Sequence, residues 1–228
     1  MKAMILAAGR GKRLRPLTDY RPKALVKAGG KPLIVWVIEY LQRNGFEEIV
    51  INTGWLGDQI PKRLGDGNQW GVNLRYSTEP TEALGTAGGI VRALPLLGDK
   101  PFLVINADVW TDFPLQVLAL GPTYLANIVL TSQIPVPEKH DFSLSRGLVS
   151  SNNPNLSYTG IGIFHPELFG EYKKNKSSLG SLLHDAAHDG RIQGTQLTSH
   201  WFNVGTKVIL NHLEELLTDD SIGPAAKY

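Results

Sequence analysis

Short apolar runs alternate with amphipathic segments almost from one end of the chain to the other, and that alternation limits the fold more than any other feature. "KAMILA" reads as a first strand. Leu33, Trp36, Val37, Tyr40 and Leu41 then recur at helical spacing over residues 32–41, with Gly45 as the stop. "EEIVINT" reads as a second strand, "DQIPKRL" as a short helix, "VNLRYS" as a third strand and "FLVIN" as a fourth, buried one. "LANIVLTSQ", "LSYTGIGIF" and "SHWFNV" follow as strands, with helices over 179–187 and 206–217. Strands separated by helical patterns imply βαβ units. The expected fold is a single-domain, Rossmann-like α/β architecture with a mostly parallel sheet flanked by helices. A chain of 228 residues, 42% hydrophobic, can bury one such core. Residues 133–155, rich in Pro, Ser and Asn, break the pattern and are expected to form an irregular excursion, with an antiparallel hairpin over the site. The tail "DDSIGPAAKY" is expected to fray.

Directly behind the first strand comes "LAAGRGKRLRPLTDYRPKAL", residues 6–25. In an open parallel sheet, ligands bind beyond the carboxyl ends of the strands. The formal net charge is only +2, yet nine of the 23 basic residues fall in the first 31 positions, with Asp19 the sole acid among them. A dinucleotide fingerprint needs a third glycine where Leu14 stands, and a Walker A loop needs Ser or Thr where Arg13 follows Gly11-Lys12. What remains is a loop in which Gly9 and Gly11 let backbone amides reach an anion while Arg13 and Lys23 bring full charges. Two flexible cations around an amide nest suit a triphosphate better than a dinucleotide pyrophosphate, because more charge must be neutralised.

The run from Leu6 to Thr18, followed by Pro22-Lys23 and Leu25, resembles the signature of sugar-1-phosphate nucleotidyltransferases. The resemblance continues through "LGTAGGI", "VINADVW", "YTGIGIF" and "HWFNVGT", and so covers nearly the whole chain. Within the family, the short bacterial uridylyltransferases acting on N-acetylmuramate 1-phosphate are most similar, sharing overall length, the "MKAMILAAG" start, "WLG", "ALPLLGD" and "DVWTD". The resemblance implies attack by a sugar-1-phosphate oxygen on the α-phosphorus of an NTP, with UTP the first expectation and pyrophosphate released. GTP with mannose 1-phosphate, or UTP or dTTP with a glucose-type phosphate, stays open. So does a nucleotide-binding protein that has lost catalysis. The implied nucleotide contacts are Ala8, Gly9, Gly11, Lys12, Arg13, Lys23, Glu79, Gly85 and Asn106. Arg13, Lys23 and Asp108 are implied as catalytic, Asp141, Gly160 and Ile161 as sugar contacts, and Asp108 with Asn203 as ligands for Mg²⁺. The implied division runs between a nucleotide part, about 1–110, and a sugar and second-metal part, about 111–217.

The residues themselves bear on these roles. Asp108 ends the buried strand "FLVINAD", where a metal ligand or a turn cap would stand. Glu79 with Gly85, Gly88 and Gly89 suggests a base pocket; a glutamate accepts an N–H from uracil or guanine alike, so the base stays open. Gly160 and Gly162 sit inside a strand pattern, where glycine weakens the strand unless a ligand comes close or a bulge forms. Members of the resembled family usually carry aspartate where Asn203 stands. A unit charge pair at ~4 Å and an effective dielectric of ~20 is worth about 4 kcal/mol, so the expectation is a working enzyme that needs more metal.

Several classes are disfavoured. Without cysteine there is neither a disulfide framework nor a thiolate metal site. No stretch approaches the roughly 18 apolar residues of a spanning helix, and the basic residues crowd one loop instead of spreading over a face with aromatics, as a nucleic-acid binder requires. A cytoplasmic protein, monomeric or a small homo-oligomer, is expected. With the chain ending soon after its last helix, no additional C-terminal β-helix or acyltransferase domain is expected. His184 and His188 lie one helical turn apart, but the glutamate of a zinc helix is missing. Trp36 and Trp201 are expected in the core, whereas Trp55 and Trp110, just after strands, are placed near the site.

Overall fold

The computed structural model describes residues 1–80, 84–133, 139–170, 172 and 178–218. In chain order the strands and helices are β1 (Ala3–Leu6), β2 (Lys27–Ala28), β3 (Lys31–Pro32), α1 (Leu33–Arg43), β4 (Glu48–Thr53), α2 (Gln59–Leu64) and β5 (Asn73–Thr78). Then follow α3 (Gly85–Leu97), β6 (Phe102–Asn106), β7 (Val109–Thr111), β8 (Ala126–Thr131), β9 (Ser143–Ser145), β10 (Leu148–Ser150) and β11 (Ser157–Phe164). α4 (Leu179–His188), β12 (Ile192–Gln196), β13 (Trp201–Asn203) and α5 (Lys207–Thr218) complete the described part.

Side-chain alternation along the central strands explains the layering. Ala3 and Ile5 of β1, Ile49 and Ile51 of β4, and Leu103 and Ile105 of β6 face one way, onto Ile34, Val37, Ile38 and Leu41 of α1 and Ile60 and Leu64 of α2. Met4, Val50, Phe102 and Val104 face the other, onto Ile90, Ala93 and Leu97 of α3, in a cluster shared with Leu179, Leu182 and Leu183 of α4. Strands covered on both faces read as unbroken apolar runs, which is why "FLVIN" was legible as a buried strand. At the end of α1, Gly45 N–H donates to the Gln42 carbonyl and Phe46 N–H to that of Leu41, a Schellman closure that halts the helix at Gly45. A third cluster joins Leu210 and Leu213 of α5 to Trp36 of α1, Trp110 of β7 and Val204, just past β13.

Among the described residues, nine strands form one sheet in the order β5-β4-β1-β6-β11-β8-β12-β10-β9. β5, β4, β1 and β6 are parallel, and β12 is parallel to β8. β11 runs antiparallel between β6 and β8, so the sheet is mixed though mostly parallel. From β1 the chain steps outward to β4 and β5, then returns through α3 to β6 on the opposite side of β1. That reversal opens a crevice at the carboxyl ends of β1 and β6. The excursion does contain an antiparallel hairpin, β9–β10, but it pairs through β10 with β12 at the sheet's edge and contributes no residue to the cleft described below. β12 escaped the sequence reading because Gln193, Gly194 and Thr195 leave it almost no apolar run. Glycine at 194 gives room to the hairpin, since a Cβ would come within 2.7 Å of the Leu144 and Val149 methyl groups and force them to shift. The tail, 219–228, lies outside the described residues.

Candidate active site

β1 ends between two asparagines. Leu6 is in register with Asn52 of β4 on one side and Asn106 of β6 on the other. Buried Asn52 accepts a hydrogen bond from the Ala7 N–H through Oδ1 at 2.7 Å, which fixes where the chain leaves the sheet. The loop then turns at Gly11, whose φ of 62° is left-handed. A Cβ on Gly11 would sit 2.9 Å from the Lys23 Cβ, and Thr18 Oγ1 donates to the Gly11 carbonyl at 2.9 Å. Gly9 differs: nothing lies within 4 Å of the position its Cβ would take. Protein packing therefore gives no reason for glycine at 9, and the missing side chain leaves clearance above the loop. Residues 54–58 brace the loop from behind. A Cβ on Gly54 would meet the Ala8 carbonyl at 2.8 Å, Trp55 Nε1 donates to the Thr18 carbonyl at 3.1 Å, and the Arg10 guanidinium lies 4.1 Å from the centre of the Trp55 ring.

The charges converge from three segments. Lys23, in the short helical turn Lys23–Leu25, forms an ion pair with Asp108, just past β6, with their side chains 17% and 16% exposed. Asp108 is tied to the β13 loop: its carbonyl accepts from the Val204 N–H at 2.9 Å, and the β7–β13 pairing sets Asn203 opposite Val109. Arg13 reaches the same loop, its guanidinium lying against Gly205, where a Cβ would be 2.9 Å from Nη2. The oxygen donors of Asp108 and Asn203 are of the hard kind that suits Mg²⁺. One carboxylate among them fits a cation held jointly with substrate phosphates better than a closed protein cage. Accordingly, among the described residues no group of three or more His, Cys, Asp or Glu could hold a metal by itself.

Opposite the charges, Glu79 follows β5. Its Oε1 accepts from Asn52 Nδ2 at 2.7 Å, and its own N–H donates to the Thr53 carbonyl at 2.8 Å. Burial pushes the Glu79 carboxyl above its ordinary value, opposed by the Asn52 hydrogen bond, a backbone hydrogen bond from Leu84 and the charge of Arg92. Gly88 and Gly89 in α3 are explained by close packing: a Cβ on Gly88 would lie 2.6 Å from the Tyr172 hydroxyl, and one on Gly89 would strike Glu79 and Asn52. Thr81, Glu82 and Ala83, the approach to that helix, lie outside the described residues.

All of these segments border one cleft of about 910 Å³, a size usual for a small-molecule site. Ala8, Gly9, Gly11, Lys12, Arg13, Lys23, Glu79, Gly85, Asn106 and Asp108 line it. Asn203 does not, although Gly205, two residues on, does. Asp141, Gly160 and Ile161 are also absent from the lining. Asp141 is exposed and hydrogen-bonded through its backbone to Leu156, whereas the Ile161 side chain is wholly buried. The register between β11 and β8 shifts between Tyr158 and Gly162, so a bulge occupies this strand; Gly160 has φ 84° there, and a Cβ on it would collide with the Asn106 amide. Of the tryptophans, Trp55 lines the cleft, while Trp110 is buried with Trp36 in the α5 cluster. Trp201 packs partly buried, donating from Nε1 to the Thr159 carbonyl. His184 stacks on Phe142 and hydrogen-bonds Ser151.

Sequence reasoning missed Asn52, Asp58 and Gly205, which also line the cleft. A signal for Asn52 existed: "VIN" recurs in both strands flanking β1, as Val50-Ile51-Asn52 and Val104-Ile105-Asn106, each asparagine in register with Leu6.

Comparison with known proteins bears on this geometry. Residues 2–142 match the family model described as nucleotidyl transferase. The chain is 45% identical over 227 residues to an N-acetylmuramate alpha-1-phosphate uridylyltransferase of Neisseria meningitidis, covering 95% of this chain and 98% of that one. A protein of the same description from Caulobacter vibrioides is 34% identical, with 89% and 91% covered. A mannose-1-phosphate guanyltransferase of Aspergillus oryzae is 30% identical, with 90% of this chain but 61% of the longer relative covered. The fold matches a Bacillus anthracis crystal structure described as a putative glucose-1-phosphate thymidylyltransferase, with a TM-score of 0.84 at 21% identity over 99% of this chain and 98% of that one.

Proposed function

This chain belongs to the nucleotidyl transferase family, and from that premise we propose that it transfers a uridylyl group from UTP to N-acetylmuramate 1-phosphate, giving a UDP-sugar and pyrophosphate. The observation that carries the reading is the meeting of the glycine loop, Arg13, Lys23 and Asp108 on one cleft at the sheet's switch point. Identity of 45% across nearly the full length of both chains supports the choice of substrates.

In this reading a sugar-phosphate oxygen attacks the α-phosphorus. The new P–O bond forms as the bond from the α-phosphorus to the bridging oxygen breaks, and that oxygen leaves with the pyrophosphate. Such a transfer calls for positioning and charge neutralisation, with no nucleophilic side chain. The amides of Ala8, Gly9 and Gly11 cradle the phosphates, with Lys12 at the rim, and Arg13 holds the departing pyrophosphate. Lys23, which pairs with Asp108, turns to the reacting phosphate. Glu79 and Gly85 receive the base, and Asn106 the nucleoside. Asp108 and Asn203 are the proposed holders of Mg²⁺, which when bound would draw charge from the phosphate oxygens. Asp141, Gly160 and Ile161 are the proposed sugar contacts, Ile161 through its backbone because its side chain is buried. The proposed setting is the cytoplasm, in the recycling of cell-wall sugars; among the described residues no helix is long and apolar enough to cross a membrane.

The experiment is pyrophosphate release across UTP, GTP, dTTP, CTP and ATP against several sugar 1-phosphates, at low and high Mg²⁺. Release confined to UTP with N-acetylmuramate 1-phosphate is expected. Nucleotide binding without release at any metal concentration would replace the enzyme reading with that of a nucleotide-binding protein.

A further inference from the structure

We infer that Asn52 is a positioning residue that locks Glu79 as a hydrogen-bond acceptor toward the base, so that the cleft selects a base edge presenting an N–H; the inference rests on the nucleotide reading of the cleft.

Asn52 is 3% exposed, and the two ends of its amide are chemically opposite. Oδ1 is committed to the Ala7 N–H, a backbone donor that cannot reverse its polarity, so Nδ2 must face Glu79, where it donates to Oε1. Flipping the amide would set donor against donor at Ala7 and oxygen against carboxylate at Glu79. The hydrogen-bond network therefore decides the amide orientation. A donor at Oε1 favours the ionised carboxylate, which has only acceptors to offer the cleft it lines.

Gly89 supports this independently. It lies inside α3, where glycine costs about 1 kcal/mol relative to alanine, and its φ is not left-handed. What glycine provides is room, because a Cβ would collide with Glu79 Oε1 and lie 2.7 Å from Asn52 Nδ2. The helix gives up stability to seat this pair.

Uracil offers an N–H at N3 where cytosine has a bare acceptor, so a locked carboxylate facing that position favours UTP over CTP. The test is a swap of the two groups, read as the ratio of UTP to CTP dissociation constants by calorimetry, a ratio from which a partly unfolded fraction cancels. In Glu79→Gln, the locked Asn52 still donates to the side-chain oxygen and turns the amide NH₂ toward the base. UTP affinity should fall by about tenfold or more, and the preference should move toward CTP. In the double variant Asn52→Asp with Glu79→Gln, the new carboxylate at position 52 accepts both from the Ala7 N–H and from the NH₂ of the new amide at position 79. The oxygen of that amide then faces the base, and preference for UTP should return. A wild type that prefers UTP, with the preference unmoved in Glu79→Gln or not restored in the double variant, overturns the inference and leaves the nucleotide reading intact. A wild type that binds none of the nucleoside triphosphates overturns both.

Discussion

The two walls of the cleft are built on opposite plans. On the wall proposed for the phosphates, the exposed Arg13 and the half-buried Lys23 and Asp108, from separate segments, border the cleft beside a glycine loop, and Lys23 and Asp108 neutralise each other. On the wall proposed for the base, a buried neutral amide, Asn52, donates to Glu79 and holds its carboxyl group in place against a helix that carries glycine to make room. Charges that can change partners suit a reaction in which phosphate charge moves. A fixed pattern of donors and acceptors suits a group that must only be recognised. Damage to the first wall should therefore appear in rate, and damage to the second in selectivity.

The largest effect should come from breaking the phosphate wall. Lys23→Ala is expected to lower kcat by about 10²–10³, the usual cost of losing one donor aimed at developing charge, while the UTP-to-CTP ratio in binding stays as in the wild type. Steady-state kinetics with calorimetry checks both halves, and a changed ratio would break the division between the walls.

The two loop glycines sharpen the contrast within one wall. Gly9→Ala meets no protein atom, so the melting temperature should hold while triphosphate affinity falls by about tenfold, ~1.4 kcal/mol. Gly11→Ala meets both a left-handed backbone and the Lys23 Cβ. It should cost at least ~1–2 kcal/mol of stability, lowering the melting temperature by several degrees at roughly 2–4 °C per kcal/mol. Thermal melts with triphosphate titrations separate the two cases.

Asn203→Asp should add a full negative charge beside Asp108. The Mg²⁺ concentration for half-maximal turnover, and the Mn²⁺ concentration for half-maximal binding in the presence of UTP, should fall by about tenfold, inside the ~4 kcal/mol ceiling for a charge pair at ~4 Å and a dielectric of ~20. An unchanged metal dependence would remove Asn203 from the metal's surroundings.

The smallest effect should be in pH. Glu79 accepts when ionised, and burial raises its pKa. As pH falls, UTP affinity should start to drop above the pH at which an ordinary glutamate would protonate. Comparison with Glu79→Gln, which lacks this titration but shares that of the γ-phosphate, isolates the effect.

The same contrast governs how much could be read from sequence. The glycine loop and Asp108 lie in contiguous stretches whose glycines and charges stand out against the neighbouring strands. The central strands and α1 announced themselves through unbroken apolar runs and helical spacing. Asn52 carried only the repeated "VIN" as a mark, because it lies near the end of an otherwise ordinary strand and its partners Ala7 and Glu79 are brought to it by strand pairing from 45 and 27 residues away. Gly160 illustrates a second limit, since a close ligand and a bulge over Asn106 call for the same residue. Trp55 and Trp110 show a third: both follow strands, but β7 turns Trp110 into the α5 cluster whereas Trp55 stays at the cleft. β12 stayed hidden because the hairpin β9–β10 and neighbouring β8 supply the apolar cover that its own sequence lacks.

The most direct test of the central claim is to follow label from UTP carrying ³²P in either the α or the γ position, with N-acetylmuramate 1-phosphate and Mg²⁺. The α-label should appear in the UDP-sugar and the γ-label in pyrophosphate, in equal amounts. Label from the γ position on the sugar, or as free phosphate, would mean that the cleft directs attack elsewhere on the triphosphate, and would contradict that claim.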